Sequence, residues 1–348
     1  MPVVIPAADL AEFVTALFTE VVPDPGRART ISDVLVWASL RGVDSHGVAR
    51  VPRYLELLAS GEANANARMR FTAGAAGVAV LDADRAPGPV ALTAAADEAV
   101  SRGRSRGIGA VGVRRTVHTG AIGYYTSRIA DAGLIGIAFV AGMPNMSYPG
   151  VTGVAVATSP LSIAVPATGD RPAVLLDMAT AGIALGKIAQ YRNNGRQLPE
   201  GVAATADGTA TTDPALATMP LPLGGAKGAG MSLAFELLTS VLVGAPILSS
   251  FHGADPGGRA HRQNALLVVL DPAAFGDPAT FTASVTETLD TLHGLPSADP
   301  AAAIRYPGEH SAAAAEERAA NGVPVNPKVW AELQAAAEQL GVALPAKA

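Results

Sequence analysis

Ser45-His46-Gly47 followed by Arg50 is a set of side chains able to do acid–base work on an anion. An arginine grips a carboxylate through two parallel N–H donors, while a nearby imidazole moves a proton. If these residues open a helix, the spacing of four puts His46 and Arg50 on one face, with Arg53 or Tyr54 extending it. A helix cap followed by a solvated basic face fits the same residues. A hydrolytic triad does not: Asp44, Ser45 and His46 are adjacent in sequence, and no Gly-x-Ser-x-Gly elbow follows a strand.

His118 comes after a β-rich run and before Thr119-Gly120-Ala-Ile-Gly123-Tyr-Tyr125. That placement suits acid–base chemistry at a strand end, and equally a hydrogen-bonded structural histidine. Gly224-Gly-Ala-Lys227-Gly228-Ala-Gly230 leads into the apolar helical stretch that begins at Met231. Free amides at a helix start attract anions and Lys227 adds a charge, so the loop reads as an anion cradle or as a glycine hinge. It lacks the spacing of a Walker loop. Gly107-Ile-Gly109-Ala-Val-Gly112 formally matches a dinucleotide fingerprint, but a helix precedes it and β-formers run through it, so the match is rejected. His252, His261, His293 and His310 show no metal-ligand spacing, and no metal is expected.

Three stretches must position these residues. From about Ala7 to Gly61 apolar residues recur at helical intervals (Leu10, Phe13, Val14, Leu17, Phe18, then Ile31, Val34, Leu35, Ala38), and Asp44 or Ser45 caps an expected third helix running to Gly61. From about Phe71 to Arg305 short β-rich runs such as Gly77–Leu81, Ile108–Val113 and Ala265–Leu270 alternate with alanine-rich helical stretches, which makes an α/β unit. From His310 the chain is helical again, with Pro324 and Pro327 separating two helices. The expected fold class is α/β, with residues 73–304 inserted into a helical unit made of residues 1–72 and 305–348.

The 348 residues carry 25 basic and 30 acidic side chains, a formal charge of −5, with 49% hydrophobic and 16% charged residues. So apolar a chain folds, and its acidic balance without a Lys/Arg block argues against nucleic acid or an anionic membrane as partner. Cysteine is absent, which excludes disulfides, thiolate metal sites and cysteine nucleophiles. No signal-like start and no apolar stretch of about 18 residues is visible, so a cytoplasmic protein is expected.

Taken together, the motifs resemble the type-2 malate/L-lactate dehydrogenase family. The matching pieces are Arg41-Gly-Val-Asp-Ser-His-Gly-Val-Ala-Arg50-Val-Pro-Arg-Tyr54, His118-Thr-Gly with Gly123-Tyr-Tyr125, and Leu176-Asp177-Met-Ala-Thr-Ala181 leading to Gly186-Lys187-Ile188. Thr211-Thr-Asp-Pro214, Gly224-Gly-Ala-Lys-Gly228 and Arg305-Tyr-Pro-Gly-Glu309 complete the series, in family order. The resemblance implies a cofactor domain that is not a Rossmann fold, with NADH or NADPH as cofactor and usually a homodimer. It further implies reduction of a small 2-oxo or cyclic 2-imino acid, or the reverse oxidation.

Carried over by position, Ser45 and His46 would form the proton-relay pair, Arg50 would hold the substrate carboxylate, and Thr158 and Tyr54 would lie by the substrate. His118, Thr119, Gly120, Ala121 and Ile122 would line the cofactor, with Asp177, Met178, Ala179, Lys227, Gly228, Pro307, Gly308 and Glu309. His118 is the rival proton donor. The chain departs from the family pattern at Val117, Ser159, Val202 and Ala226, which bears on substrate and cofactor preference. A degenerate member that binds a small acid or a partner without turnover is the alternative.

Overall fold

The computed structural model describes residues 2–168, 171–255, 257–299 and 303–345. Residues 1 and 346–348 of the expected helical unit lie outside the described residues, as do 169–170, 256 and 300–302 of the expected inserted unit. The N-terminal part comprises β1 (Val3–Ile5), α1 (Ala7–Thr19), α2 (Pro25–Leu40) and α3 (Val51–Ala59). Next come β2 (Arg70–Ala73), β3 (Val78–Asp82), α4 (Gly88–Arg106), β4 (Ile108–Thr116), α5 (Gly123–Asp131) and β5 (Ile135–Gly142). They are followed by β6 (Pro160–Val165), β7 (Val174–Ala179), α6 (Leu185–Asn193), β8 (Ala203–Ala204) and β9 (Met219–Pro220). Then α7 (Ala226–Glu236) runs into a π-helical turn (Leu237–Val241), ahead of α8 (Leu248–His252), β10 (Gln263–Leu270) and α9 (Pro278–His293). The chain closes with α10 (Glu309–Asn321), β11 (Val323–Val325) and α11 (Pro327–Leu340).

The apolar periodicity of α1 buries Leu10, Phe13, Val14, Leu17 and Phe18. Asp24 starts α2 by accepting the amide of Gly26 at 2.8 Å, with Pro25 in the first turn, a cap worth about 1 kcal/mol. These helices share one hydrophobic core with Val323, Val325, Trp330 and Leu333 from the other end of the chain. Sequence patterning does not anticipate the antiparallel pairing of β1 with β11, Val3 opposite Val325, which ties the two ends together. Strands this short carry too little periodicity to be read.

A second core lies under a seven-stranded sheet of order β2-β3-β4-β10-β5-β6-β7. Alternating strands and helices suggest parallel pairing, yet only β3 with β4 is parallel and every other pair in this sheet is antiparallel. The late strand β10 inserts between β4 and β5, an order no local pattern encodes. This mixed sheet is not a Rossmann sheet. The rejected fingerprint has a packing explanation: Gly107 ends α4 in the left-handed region at φ 81°, and a Cβ on Gly109 would fall 2.1 Å from the Ala99 carbonyl oxygen. These glycines let α4 lie against β4.

Candidate active site

Ser45, His46 and Arg50 lie on two successive 3-10 turns, Asp44–His46 and Val48–Arg50, separated by Gly47, and α3 begins only at Val51. The expected shared helix face is therefore corrected, and neither Asp44 nor Ser45 caps α3, whose N-cap is Arg50. Gly47 breaks the helix because it presses on α2: a Cβ there would fall 2.1 Å from Ser39 Oγ, and that hydroxyl accepts the amide of Val48 at 2.9 Å. Arg318 of α10 holds Asp44 at 2.6 Å, so both ends of the chain fix the turn. The result brings the same side chains together by another route. Ser45 Oγ lies 3.0 Å from His46 Nδ1, and Arg50 Nε donates to the Ser45 carbonyl at 2.7 Å.

His118 stacks on His46, with ring centroids 5.7 Å apart and 26° between planes. It is held from behind. Gly120 donates its amide to His118 Nδ1 at 3.2 Å, and the Tyr54 hydroxyl donates to the His118 carbonyl at 2.8 Å while lying 2.9 Å from Nδ1. An Nδ1 that accepts an amide proton carries none itself, so the neutral ring bears its hydrogen on Nε2. Gly88 at the start of α4 permits this approach, since a Cβ there would fall 2.2 Å from the His118 carbonyl oxygen. Tyr54 does not extend an open substrate face. It is 2% exposed, packs in the helical core, and supports His118.

Burial first, and the neighbouring Arg50 second, push the pKa of His46 down to about 4. Burial, Arg50 and His46 lower that of His118 well below the usual histidine value. Both rings are neutral at pH 7. The Arg50 guanidinium is half-buried, with its pKa lowered by burial, and no carboxylate pairs with it among the described residues. A semi-buried, unpaired guanidinium beside two neutral imidazoles is an anion site.

The remaining candidates are spread along β7, Pro307 and Gly308 at its start and Gly228 past its end. Asp177 Oδ2 accepts the Gly123 amide at 2.8 Å, joining β7 to the start of α5. Crowding by protein atoms pushes the Asp177 acid up to about 6, with the Gly123 amide pulling the other way. Leu223 donates its amide to the Thr180 carbonyl at 2.9 Å, and a Cβ on Gly228 would fall 2.5 Å from that carbonyl oxygen, so the start of α7 abuts the residue after Ala179. Pro307 accepts the Leu175 amide at 2.9 Å, and Gly308 packs on the same residue. Met178 is half-buried, and Lys227 is exposed in the first turn of α7. Thr158, half-buried, receives the Asn145 side chain on its amide at 2.9 Å and gives its carbonyl to the Thr180 amide at 3.2 Å.

Not every expected residue presents its side chain to the site. Thr119, Ala121 and Ile122 are 2%, 3% and 1% exposed, so their side chains belong to the framework. Glu309 is bonded to His293 at 3.1 Å and to the Tyr306 amide at 3.2 Å. Three residues not expected at the site act on it, His261 having been read only as lacking metal-ligand spacing. Asn145 fixes Thr158, Gln263 accepts the Thr119 amide at 3.0 Å, and His261 adds to the field on His118. Nothing in their local pattern marks them, because their partners are distant in sequence.

A nicotinamide dinucleotide fits the residues around β7. The start of α7 offers the exposed Lys227 to a phosphate, with Gly224 and Gly225 at φ 59° and 63° keeping that turn free of side chains, while the Lys227 and Gly228 amides are taken by the Gly224 and Leu223 carbonyls. Asp177 offers an acceptor for sugar hydroxyls. Thr180 Oγ1 is buried there without a partner among the described residues.

Comparison with known proteins agrees with this architecture. The chain is 32% identical over 301 residues to ureidoglycolate dehydrogenase (NAD(+)) of Escherichia coli O157:H7, covering 86% of this chain and 85% of the relative. It is 31% identical to malate dehydrogenase of Pyrococcus abyssi, covering 97% and 95%. The solved sulfolactate dehydrogenase of Methanocaldococcus jannaschii superposes with a TM-score of 0.88 at 29% identity, covering 98% of both chains. The profile of the malate/L-lactate dehydrogenases matches residues 5–334, and with the fold shared at this level the chain belongs to that family of oxidoreductases.

Proposed function

We propose that the protein is an NAD(P)H-dependent oxidoreductase that interconverts a small 2-oxo acid, or cyclic 2-imino acid, and the corresponding 2-hydroxy or 2-amino acid. The observation that carries this is Arg50, half-buried and without a carboxylate partner among the described residues, set beside His46 with Ser45 on its Nδ1. Arg50 holds the substrate carboxylate, and the oxo oxygen, one carbon away, then lies by the imidazole. The reduced nicotinamide supplies the hydride when bound. His46 gives the proton to the oxygen, and takes it back in the reverse direction. Its Ser45 partner can donate to a bare Nδ1 or accept from a protonated one, so the pair stays bonded through the cycle.

His118 is the poorer donor. With Nδ1 occupied by the Gly120 amide, its neutral Nε2–H serves as a hydrogen-bond donor in the cleft, not as an acid. Lys227, Gly228, Asp177–Ala179 and the backbone of residues 118–122 hold the cofactor, with Pro307–Glu309 bracing β7 behind it. Thr158 borders the substrate. A hydrolytic reading is disfavoured because Asp44 is engaged by Arg318, leaving no carboxylate to orient His46. A member without turnover is disfavoured because His118 is brought against His46 and Arg50 although distant from them in sequence.

The proposed division of labour gives residues 1–72 with 305–348 the substrate and dimer contacts and 73–304 the cofactor, although β2 already joins the seven-stranded sheet at Arg70. The low charged fraction and apolar helices favour a homodimer. Among the described residues no helix is long and apolar enough to cross a membrane. We propose the cytoplasm as its compartment, since nicotinamide cofactors are held inside the cell. The test is absorbance at the reduced-nicotinamide band, with each cofactor, against 2-oxo acids, 2-hydroxy acids and cyclic imines. Turnover of at least one acid is expected, and His46→Ala should lower it roughly 10²–10⁴-fold. No turnover with any pair would overturn the proposal.

A further inference from the structure

The strand that leads to His118 ends in an irregularity. Along β4 and β10 the pairing is regular from Ile108 opposite Leu270 to Val113 opposite Ala265, then resumes with Thr116 opposite Gln263. Arg114 and Arg115 therefore face the single residue Asn264, which makes a β-bulge. Arg115 takes up the extra length in the left-handed region at φ 58°, a conformation that glycine adopts freely and arginine rarely. Asp84 and Arg85 share it at φ 50° and 60°, and the Arg85 amide donates to the Arg115 carbonyl at 2.7 Å. Strained residues meeting in this way persist only where the surroundings over-determine them.

Asn264 is 1% exposed and uses both ends of its amide here. Its Oδ1 accepts the Arg115 amide at 2.9 Å, and its Nδ2 donates to the Ala245 carbonyl at 2.8 Å, beyond the π-helical turn that continues α7. The Arg115 side chain adds a bond to Asp82 at 2.9 Å. On the other side of His118, Gln263 accepts the Thr119 amide at 3.0 Å. Two consecutive β10 side chains thus grip the chain before and after His118. An extra residue slips the alternation of a strand by one, so the residues beyond it project differently from those of a regular continuation. His118 follows close behind this slip, and its ring stacks on His46 at 5.7 Å.

We propose that Asn264 and Arg115 are positioning residues, Asn264 holding Arg115 in the left-handed bulge that delivers His118 to the His46 ring. The consequence for turnover rests on the oxidoreductase reading above; the placement of the two rings does not. Residue 115 can be changed without opening the core, because its side chain is 54% exposed. Arg115→Val sets a β-branched residue where φ is positive, which such residues avoid, whereas Arg115→Gly adopts that conformation without strain. Both lose the same contact with Asp82. With reduced cofactor and a 2-oxo acid, Arg115→Val should lower kcat/KM roughly 10–100-fold, and Arg115→Gly should stay at least roughly 10-fold above it. Affinity for the unreactive acid oxamate, a readout of Arg50, should match the wild type in both.

In isotope-labelled histidine spectra of the whole chain, cross-relaxation between the His46 and His118 rings should be present in the wild type and in Arg115→Gly, and lost in Arg115→Val. Asn264→Leu should lose it too. Adding Arg115→Gly to that chain should restore it, since glycine reaches a positive φ without help. A packing defect at residue 264 alone would not be repaired from residue 115. Equal effects of the two Arg115 substitutions, or a ring contact that survives Arg115→Val, would overturn the proposal. If Asn264→Leu does not fold, the two exposed variants decide. If no acid turns over, the oxidoreductase reading fails on its own and the ring contact decides: its loss in Arg115→Val alone supports the bulge, and its persistence overturns it.

Discussion

Anion binding should recharge His46. In the free protein its pKa is about 4, held down by burial first and by Arg50 second. At pH 7 only about one ring in a thousand is then protonated, a poor stock of acid for reducing a 2-oxo acid. A carboxylate seated on Arg50 cancels the second cause and brings an opposite charge close to the ring. Such a charge within about 4–6 Å raises a histidine pKa by roughly 1–3 units. A lift of about 2 units would leave roughly one ring in ten protonated at pH 7, a gain of about 100-fold in the acid form. The perturbation is oxamate, an unreactive mimic of a 2-oxo acid, and the assay is an NMR titration of carbon-labelled histidine. The His46 signal should titrate near pH 4 alone and markedly higher with oxamate, while His118 stays neutral throughout. In Arg50→Gln the free midpoint should rise yet remain below 6.5, because burial is the larger cause, and oxamate should no longer move it. A free midpoint between 6 and 7 in the wild type, or one that oxamate leaves in place, would refute this account of the proton donor.

Other consequences can be checked separately. Lys227→Ala should weaken cofactor binding by roughly 1.5–3 kcal/mol without unfolding the chain, and unchanged affinity by calorimetry would remove the glycine loop from the site. Tyr54→Phe strips the donor from a buried carbonyl and should lower stability by about 1–3 kcal/mol in urea while also weakening cofactor binding, as should His118→Ala; a neutral Tyr54→Phe would end its supporting role. Because the pKa values of His46 and His118 fall below 6.5 on folding, the unfolded chain takes up protons first as pH drops. Stability should therefore be full above pH 6.5 and decline from there toward pH 4; urea midpoints rising over that interval would contradict the sign. Light scattering should give a dimer at micromolar concentration, and a monomer would remove the assembly proposal.

Much of the secondary structure is legible because apolar periodicity is local. The buried residues of α1 and the strands β3, β4 and β10 fall where their patterns put them. The glycine turn does open a helix at Ala226, and the wrong context of Gly107–Gly112 is visible from its neighbours. By contrast, α6 and α9 lack a clean apolar stripe, and the three-residue β1 and β11 are too short to show one. The family motifs carry the identities of Ser45, His46, Arg50 and His118 without saying how they meet.

What the sequence by itself determined is the class of fold, the family and the chemical types in the site, since these reside in composition, spacing and motif. Tertiary structure alone decided the rest. It placed β10 between β4 and β5, folded Ser45–Arg50 into two 3-10 turns where a continuous helix was expected, and stacked His46 on His118. It also turned Tyr54 to the back of His118. The physical reason is range. Periodicity records which face of an element is buried, whereas the pKa, tautomer and hydrogen-bond partner of a polar side chain are set by groups far along the chain, and these meet only when the sheet and both chain ends have packed.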